Sequence, residues 1–111
     1  EYYSKLYIKR EVINMKKKAI KSTKYCDLLL QARLNDSEYT YCIERIYVKA
    51  KKTEEIRFSL YKDTVKSDNR YIPRSLDVTE LELIELIKES IREKVFSEEF
   101  IEMLKQEINQ I

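Results

Sequence analysis

The sequence predicts an α+β fold in a single domain over residues 1–111. A four- or five-stranded antiparallel sheet over about residues 2–74 precedes two helices, about 77–94 and 97–110, packed on one sheet face. Three observations carry this. All nine tyrosines fall within residues 2–71, among Ile, Val, Leu and Thr, a composition that favours strands. Apolar and polar residues alternate with period two through much of that stretch. Beyond Pro73, the one proline, the apolar period becomes helical.

The first strand is expected over 2–13, with Tyr2, Leu6, Ile8 and Val12 on one face and Tyr3, Lys5, Tyr7, Lys9 and Glu11 on the other. A lysine-rich connection follows (Lys16, Lys17, Lys18, Lys21, Lys24). Residues 25–34 resume the alternation, with Cys26, Leu28, Leu30, Ala32 and Leu34 inward and Tyr25 and Arg33 outward. Asn35-Asp36-Ser37 supplies a turn, since Asn and Asp tolerate positive φ in a chain that has no glycine. Residues 39–50 also fit a helix face through Tyr39, Ile43, Ile46 and Ala50. Their Tyr, Thr, Cys, Ile and Val content favours a strand, with room for a bulge. Ile56, Phe58 and Leu60 alternate with Arg57, Ser59 and Tyr61 in a fourth strand. A polar loop over 63–70 leads to a short edge strand at Tyr71-Ile72-Pro73-Arg74, because proline cannot donate to a central ladder.

Asp77 with Glu80 three residues on reads as a capping box, and Leu76 and Leu81 take the staple positions. Leu81, Leu83, Ile84, Ile87 and Ile91 form the expected buried face, opposite Glu82, Glu85, Glu89 and Glu93. Ser97 caps the second helix, whose stripe is Phe100, Ile101, Leu104, Ile108 and Ile111.

Composition excludes more chemistry than it offers. With no histidine there is no near-neutral acid/base and no imidazole ligand, and with no glycine there is no phosphate-cradling loop. A turn at Asn35-Asp36 sets Cys26 opposite residue 45 or 46 and Cys42 opposite 29 or 30. A disulfide is therefore not expected, and the two cysteines read as buried free thiols of a reducing compartment. A carboxylate-based metal nuclease would need converging acids. Glu44, Glu54, Glu55, Asp27 and Asp63 are the strand-side candidates, and they read as solvated surface acids. No cofactor and no metal are expected. No apolar run approaches a membrane span and no signal-peptide pattern is present, so a cytoplasmic location is expected.

Charge is split along the chain. Residues 1–70 hold 17 Lys and Arg against 10 Asp and Glu, a balance of +7; residues 71–111 hold 5 against 10, a balance of −5. Two binding functions follow as expectations. The Tyr3-Lys5-Tyr7-Lys9 ladder, with Lys16, Lys17, Lys18, Arg33, Arg57 and Tyr61, alternates rings with cations as a single-stranded nucleic-acid surface does. The alternative is a protein-interaction module, with a homodimer as one form, using a sheet edge or the acidic helices, with Leu86 and Met103 off the buried stripes beside Glu82, Glu85, Glu89 and Glu93. Four strands followed by a helix is similar, in order only, to the compact single-stranded-DNA-binding transcription cofactor and to Whirly-type folds. No signature residue of either is present, and the second helix is extra.

Overall fold

A computed structural model describes residues 19–62 and 70–111. The strand expected over 2–13, Lys16, Lys17, Lys18, and residues 63–69 of the expected polar loop lie outside the described residues. The chain divides into two compact units, one running from Ala19 to Val95 and another that includes Phe96–Ile111.

The first unit is an antiparallel meander with strands in chain order: β1 (Lys21–Ser22), β2 (Cys26–Asn35), β3 (Thr40–Val48), β4 (Thr53–Lys62) and β5 (Arg70–Tyr71). Part of the expected lysine-rich connection is therefore a strand. Thr23 makes this local: its hydroxyl accepts from the N–H groups of Tyr25 and Cys26, closing a tight turn between β1 and β2. Within residues 39–50, Thr40–Val48 form a strand and not a helix, and the bulge sits instead in β2, between Leu28 and Leu30.

The turn expected at Asn35-Asp36 lies two residues later, around Ser37-Glu38. Asp36 does not adopt positive φ but accepts through Oδ1 from the N–H groups of Glu38 (2.7 Å) and Tyr39 (2.6 Å). The Tyr39 N–H, the Tyr41 hydroxyl and the Glu38 N–H hold this carboxyl below the usual carboxylate range. The shifted turn moves the register, so Cys26 pairs with Val48 and Cys42 with Arg33; both thiols are free. Lysine takes the left-handed positions that glycine would normally fill: Lys52 (φ 54°) in the β3–β4 turn and Lys94 (φ 59°) after the first helix.

Helix α1 (Glu80–Arg92) starts two to three residues later than expected. Thr79, not Asp77, is the N-cap, because Thr79 and Glu82 close a reciprocal capping box: Glu82 N–H to Thr79 Oγ1 at 3.1 Å and Thr79 N–H to Glu82 Oε1 at 2.8 Å. The helix ends in a Schellman motif. Val95 N–H donates to the Ser90 carbonyl and Lys94 N–H to that of Ile91, and Val95 is fully buried. α1 lies against β2 and β3. Its buried line is Leu86 and Ser90, both fully buried, while Leu81, Leu83, Ile84 and Ile91 are exposed. The expected helix face is thus rotated, and Leu86 is the residue that anchors it.

In the second unit, helix α2 (Glu98–Asn109) begins at the expected Ser97, whose hydroxyl accepts from Phe100 N–H. Phe96 meets Phe100 edge to face at 5.0 Å. None of its helical residues is buried. The expected stripe is half-buried at Ile101 and Leu104 and exposed at Phe100 and Ile108, with Ile111 exposed beyond the helix.

Candidate functional site

Antiparallel partners project to the same side of a sheet, so register alone sorts the side chains into two faces. Gln31, Glu44 and Arg57 form one cross-strand row, and Arg33, Cys42 and Ser59 the next, with Tyr61 two positions beyond Ser59. Leu30, Ala32, Leu34, Ile43, Phe58 and Leu60 project to the other side. The alternation expected for Arg33, Arg57 and Tyr61 therefore holds. Their openness to solvent differs: Arg33 is exposed, Arg57 is half-buried and Tyr61 is buried. Ile43 and Glu44, neighbours on opposite faces, are both fully buried, so β3 is core on both sides.

Glu44 is the centre of the polar face, and it is not the solvated acid expected. Its Oε2 accepts from Gln31 Nε2 (2.7 Å) and Tyr61 Oη (2.7 Å); its Oε1 accepts from Arg57 Nε (3.0 Å) and Ser59 Oγ (2.5 Å). A carboxylate offers about four lone-pair positions, and these four donors occupy them. Arg57 extends the network, reaching Ser59 Oγ through Nε at 3.1 Å and Cys26 Sγ through Nη1 at 3.6 Å. Arg33 Nη1 donates to Gln31 Oε1 at 3.2 Å.

The electrostatics follow from this geometry. Burial works to lower the Arg57 pKa, but the hydrogen bond and charge of Glu44 outweigh it and hold the guanidinium more firmly protonated. Burial first, then donation to Glu44, pushes the Tyr61 hydroxyl well above its ordinary pKa. Burial, reinforced by the charge of Glu44, raises the Cys42 thiol to about 12, which leaves it un-ionised and inert near neutral pH. Among the described residues no group of three or more acids and cysteines is placed to hold a metal ion, and every buried side-chain polar atom has a partner. With its lone pairs filled, Glu44 has no free position from which to take a substrate proton. The cluster is a closed structural tie.

The other expected surface is also rearranged. Of its members, Leu86 is buried and Met103 is exposed on α2. Glu82 is committed to the capping box, Glu85 pairs with Lys88, Glu89 pairs with Arg92, and Glu93 is the C-cap of α1. Of the tentative nucleic-acid residues, Tyr61 is buried, Arg57 is bound to Glu44, Arg33 stays exposed, and Tyr3, Lys5, Tyr7, Lys9, Lys16, Lys17 and Lys18 lie outside the described residues.

What remains uncovered is apolar. On β4, Phe58 is 57% exposed and Ile56 is exposed as well, both on the face that α1 shares. One hydrogen bond and one longer-range charge influence orient α1 over that face. Tyr41, near one end of β3, feels the charge of Glu82, and Arg45 Nε, further along, donates to the Val95 carbonyl at 2.8 Å. The helix therefore runs alongside β3 in the same direction. Ile43 pairs with Ala32 through the ladder that carries the Asp36–Tyr39 bond, which fixes β2 on one side and β4 on the other. With Leu86 and Ser90 facing down, a right-handed helix turns Leu83, Ile84, Ile87 and Ile91 toward β4. Ile84 is 54% and Ile91 47% exposed. An apolar strip thus runs between the flank of α1 and the outer part of β4. Amphipathic periodicity marked all six of these side chains as apolar-face residues, but nothing in it shows which of them the chain itself covers.

No protein-family model, no curated protein and no solved structure matches the chain. Among the described residues no helix is long and apolar enough to cross a membrane.

Proposed function

We propose that the chain is a non-enzymatic protein-interaction module that docks a partner on the apolar strip between α1 and β4. The observation that carries this reading is the row of exposed Ile56, Phe58, Leu83, Ile84 and Ile91, beside a sheet whose centre is buried on both faces. Contiguous apolar surface of this kind marks interaction sites more often than isolated exposed residues do. The absence of histidine and the saturation of Glu44 by four donors support a binding role over catalysis.

A photo-crosslinking amino acid placed at Phe58 tests the reading in the native cell, with the same probe at exposed Lys24 as control. A discrete protein adduct formed only from position 58 is expected. Equal labelling from both positions, or none, would sink the proposal. The nucleic-acid reading keeps exposed Arg33 but has Tyr61 and Arg57 engaged at Glu44. Fluorescence anisotropy with single-stranded oligonucleotides at about 50 and 200 mM salt separates the two. Weak or absent binding is expected; tight binding that falls steeply with salt would shift the working surface to the basic residues.

A further inference from the structure

We infer that the outer edge of β4 pairs with itself: two copies of the chain join β4 to β4 antiparallel, on a two-fold axis through Ile56. This goes beyond the reading of the strip, because it rests on backbone groups and on charges of the opposite sheet face. Neither reading requires the other.

β4 has 10 residues, but β5 pairs with one end of it only. The Ile72 N–H donates to the Leu60 carbonyl at 2.8 Å, and there the pairing stops. Pro73 has no N–H to offer, and the Arg74 N–H turns back to the Ile72 carbonyl at 2.9 Å. Among the described residues, no strand continues the ladder along the rest of β4. The Ile72 bond also shows which way the remaining backbone points. Leu60 faces its carbonyl away from β3, and direction alternates along a strand, so the N–H and C=O of Ile56 and Phe58 face outward too. Both residues are exposed. An edge of this kind is a template for another extended chain.

A second copy of β4 fits that edge. β4 begins at Thr53 and its pairing with β5 reaches Leu60, so the stretch between is 53–59, with Ile56 at its midpoint. An antiparallel pair centred there sets outward backbone against outward backbone, Ile56 of one copy opposite Ile56 of the other. Charge selects the same register. Glu55 of each copy stands opposite Arg57 of the other, on the Glu44 face, where directly opposed side chains lie closest. Moving the axis to Glu55 or to Arg57 still opposes outward backbone groups, but it sets like charges against each other. The atoms for the pair are at hand among the described residues. Glu55 meets Lys51 Nζ (3.2 Å) and Thr53 Oγ1 (3.4 Å) through Oε2, which leaves Oε1. Arg57 donates through Nε and Nη1, which leaves Nη2.

The test uses the full chain. Sedimentation equilibrium from about 1 to 200 μM, a range that spans ordinary affinities, is expected to show a monomer–dimer equilibrium. Glu55→Lys sets lysine opposite arginine twice across the axis and is expected to weaken dimerisation at least about tenfold. Lys51→Ala removes the pair within one copy and should leave dimerisation unchanged. The two side chains are 42% and 67% exposed, so neither change should move the urea midpoint.

A second arm reads the register. Hydrogen-bonded partners on the axis have Cα atoms about 5.5 Å apart, within disulfide reach. Ile56→Cys should therefore give a disulfide-linked dimer on mild oxidation, and Thr53→Cys, well off the axis, should not. The wild-type chain controls for half-buried Cys26. A wild-type chain that is monomeric at about 200 μM, a dimer indifferent to Glu55→Lys, or equal crosslinking from positions 53 and 56 overturns the inference. A monomeric chain whose position 58 probe still captures a different protein leaves the docking reading standing and removes self-pairing.

Discussion

Removing the Glu44 carboxylate is the sharpest probe of how the sheet is held together. Glu44→Ala leaves four donors without their acceptor: Gln31 Nε2, Arg57 Nε, Ser59 Oγ and Tyr61 Oη. They do not suffer equally. The Arg57 side chain is 32% exposed and Gln31 is half-buried, so both can turn to water at modest cost. Ser59 and Tyr61 are buried and cannot. Each buried hydroxyl left unsatisfied costs about 1–3 kcal/mol. Closing the space left by the lost methylene and carboxyl adds on the order of 1 kcal/mol. Relief from burying a charge acts in the opposite direction, and the net expectation is a loss of about 3–5 kcal/mol, the usual cost of breaking a buried pair from one side. That is a large share of the roughly 5–15 kcal/mol typical of a domain. Tyr61→Phe removes one donor and leaves three, so it should cost only about 1.5–3 kcal/mol. Urea unfolding followed by far-ultraviolet circular dichroism gives both values, with unchanged m required for the comparison. A loss below about 1 kcal/mol for Glu44→Ala would mean the carboxylate is solvated, and the structural-tie argument would fail. A gain in stability would be more damaging still, because it would mark Glu44 as a strained functional group.

The other predictions concern the lysines and the thiols. Lys94→Gly relieves a left-handed residue at the helix terminus and should raise stability by roughly 1 kcal/mol, read from the urea midpoint; a loss would show that the Lys94 side chain contributes more than its backbone strain costs. Of the two thiols, half-buried Cys26 should react with a disulfide reagent at pH 8 and fully buried Cys42 should not, until urea unfolds the chain; two fast equivalents would refute the burial of Cys42. The folded pKa values of Cys42 (about 12) and Tyr41 (about 12) and the raised Tyr61 lie above their ordinary values, so the folded state keeps these protons longer than the unfolded chain does. Their stabilisation is complete below about pH 9 and is lost as pH rises from there toward 12; a midpoint flat across that window would contradict it.

Much of this architecture is legible in the residues, and what is hidden has identifiable causes. Period-two alternation correctly sorts Arg33, Arg57 and Tyr61 from Ala32, Leu34, Phe58 and Leu60, because side-chain direction is a local property of an extended chain. Register is not local. Asp36 starts its turn by accepting two backbone N–H groups instead of taking positive φ, which moves the loop centre to Ser37-Glu38. The bulge at Leu29 then reverses the alternation, so that Cys26 and Leu28 join the face of Glu44. Without the shifted turn Gln31 cannot be seen to pair with Glu44, and without the β3–β4 register neither can Arg57, so an isolated strand glutamate reads as a solvated acid. In α1 the difficulty is different. Leu81, Leu83, Ile84, Leu86, Ile87 and Ile91 spread apolar character over most of the helix, and Leu86 sits among glutamates in sequence. The glutamates beside it are occupied at the periphery, Glu82 in the cap and Glu89 with Arg92, which leaves Leu86 free to point inward.

Dimensions explain why an apolar strip remains. Adjacent strands lie about 4.8 Å apart, so β2, β3 and β4 present a floor about 14 Å wide. A helix with its side chains is about 10 Å across and covers roughly two strands. α1 takes β2 and β3, and β4 is left outside its shadow. A surface meant for water would then carry polar residues on β4, yet Ile56 and Phe58 stand there exposed, as do Leu83, Ile84 and Ile91 on α1. On the opposite face the same chain buries a charged glutamate under four donors. A fold that buries its polar cluster and exposes its apolar one is not explained by monomer stability alone, since that demands the reverse on both faces. The width left uncovered is about that of one strand, and the docking proposed above accounts for its apolar side chains.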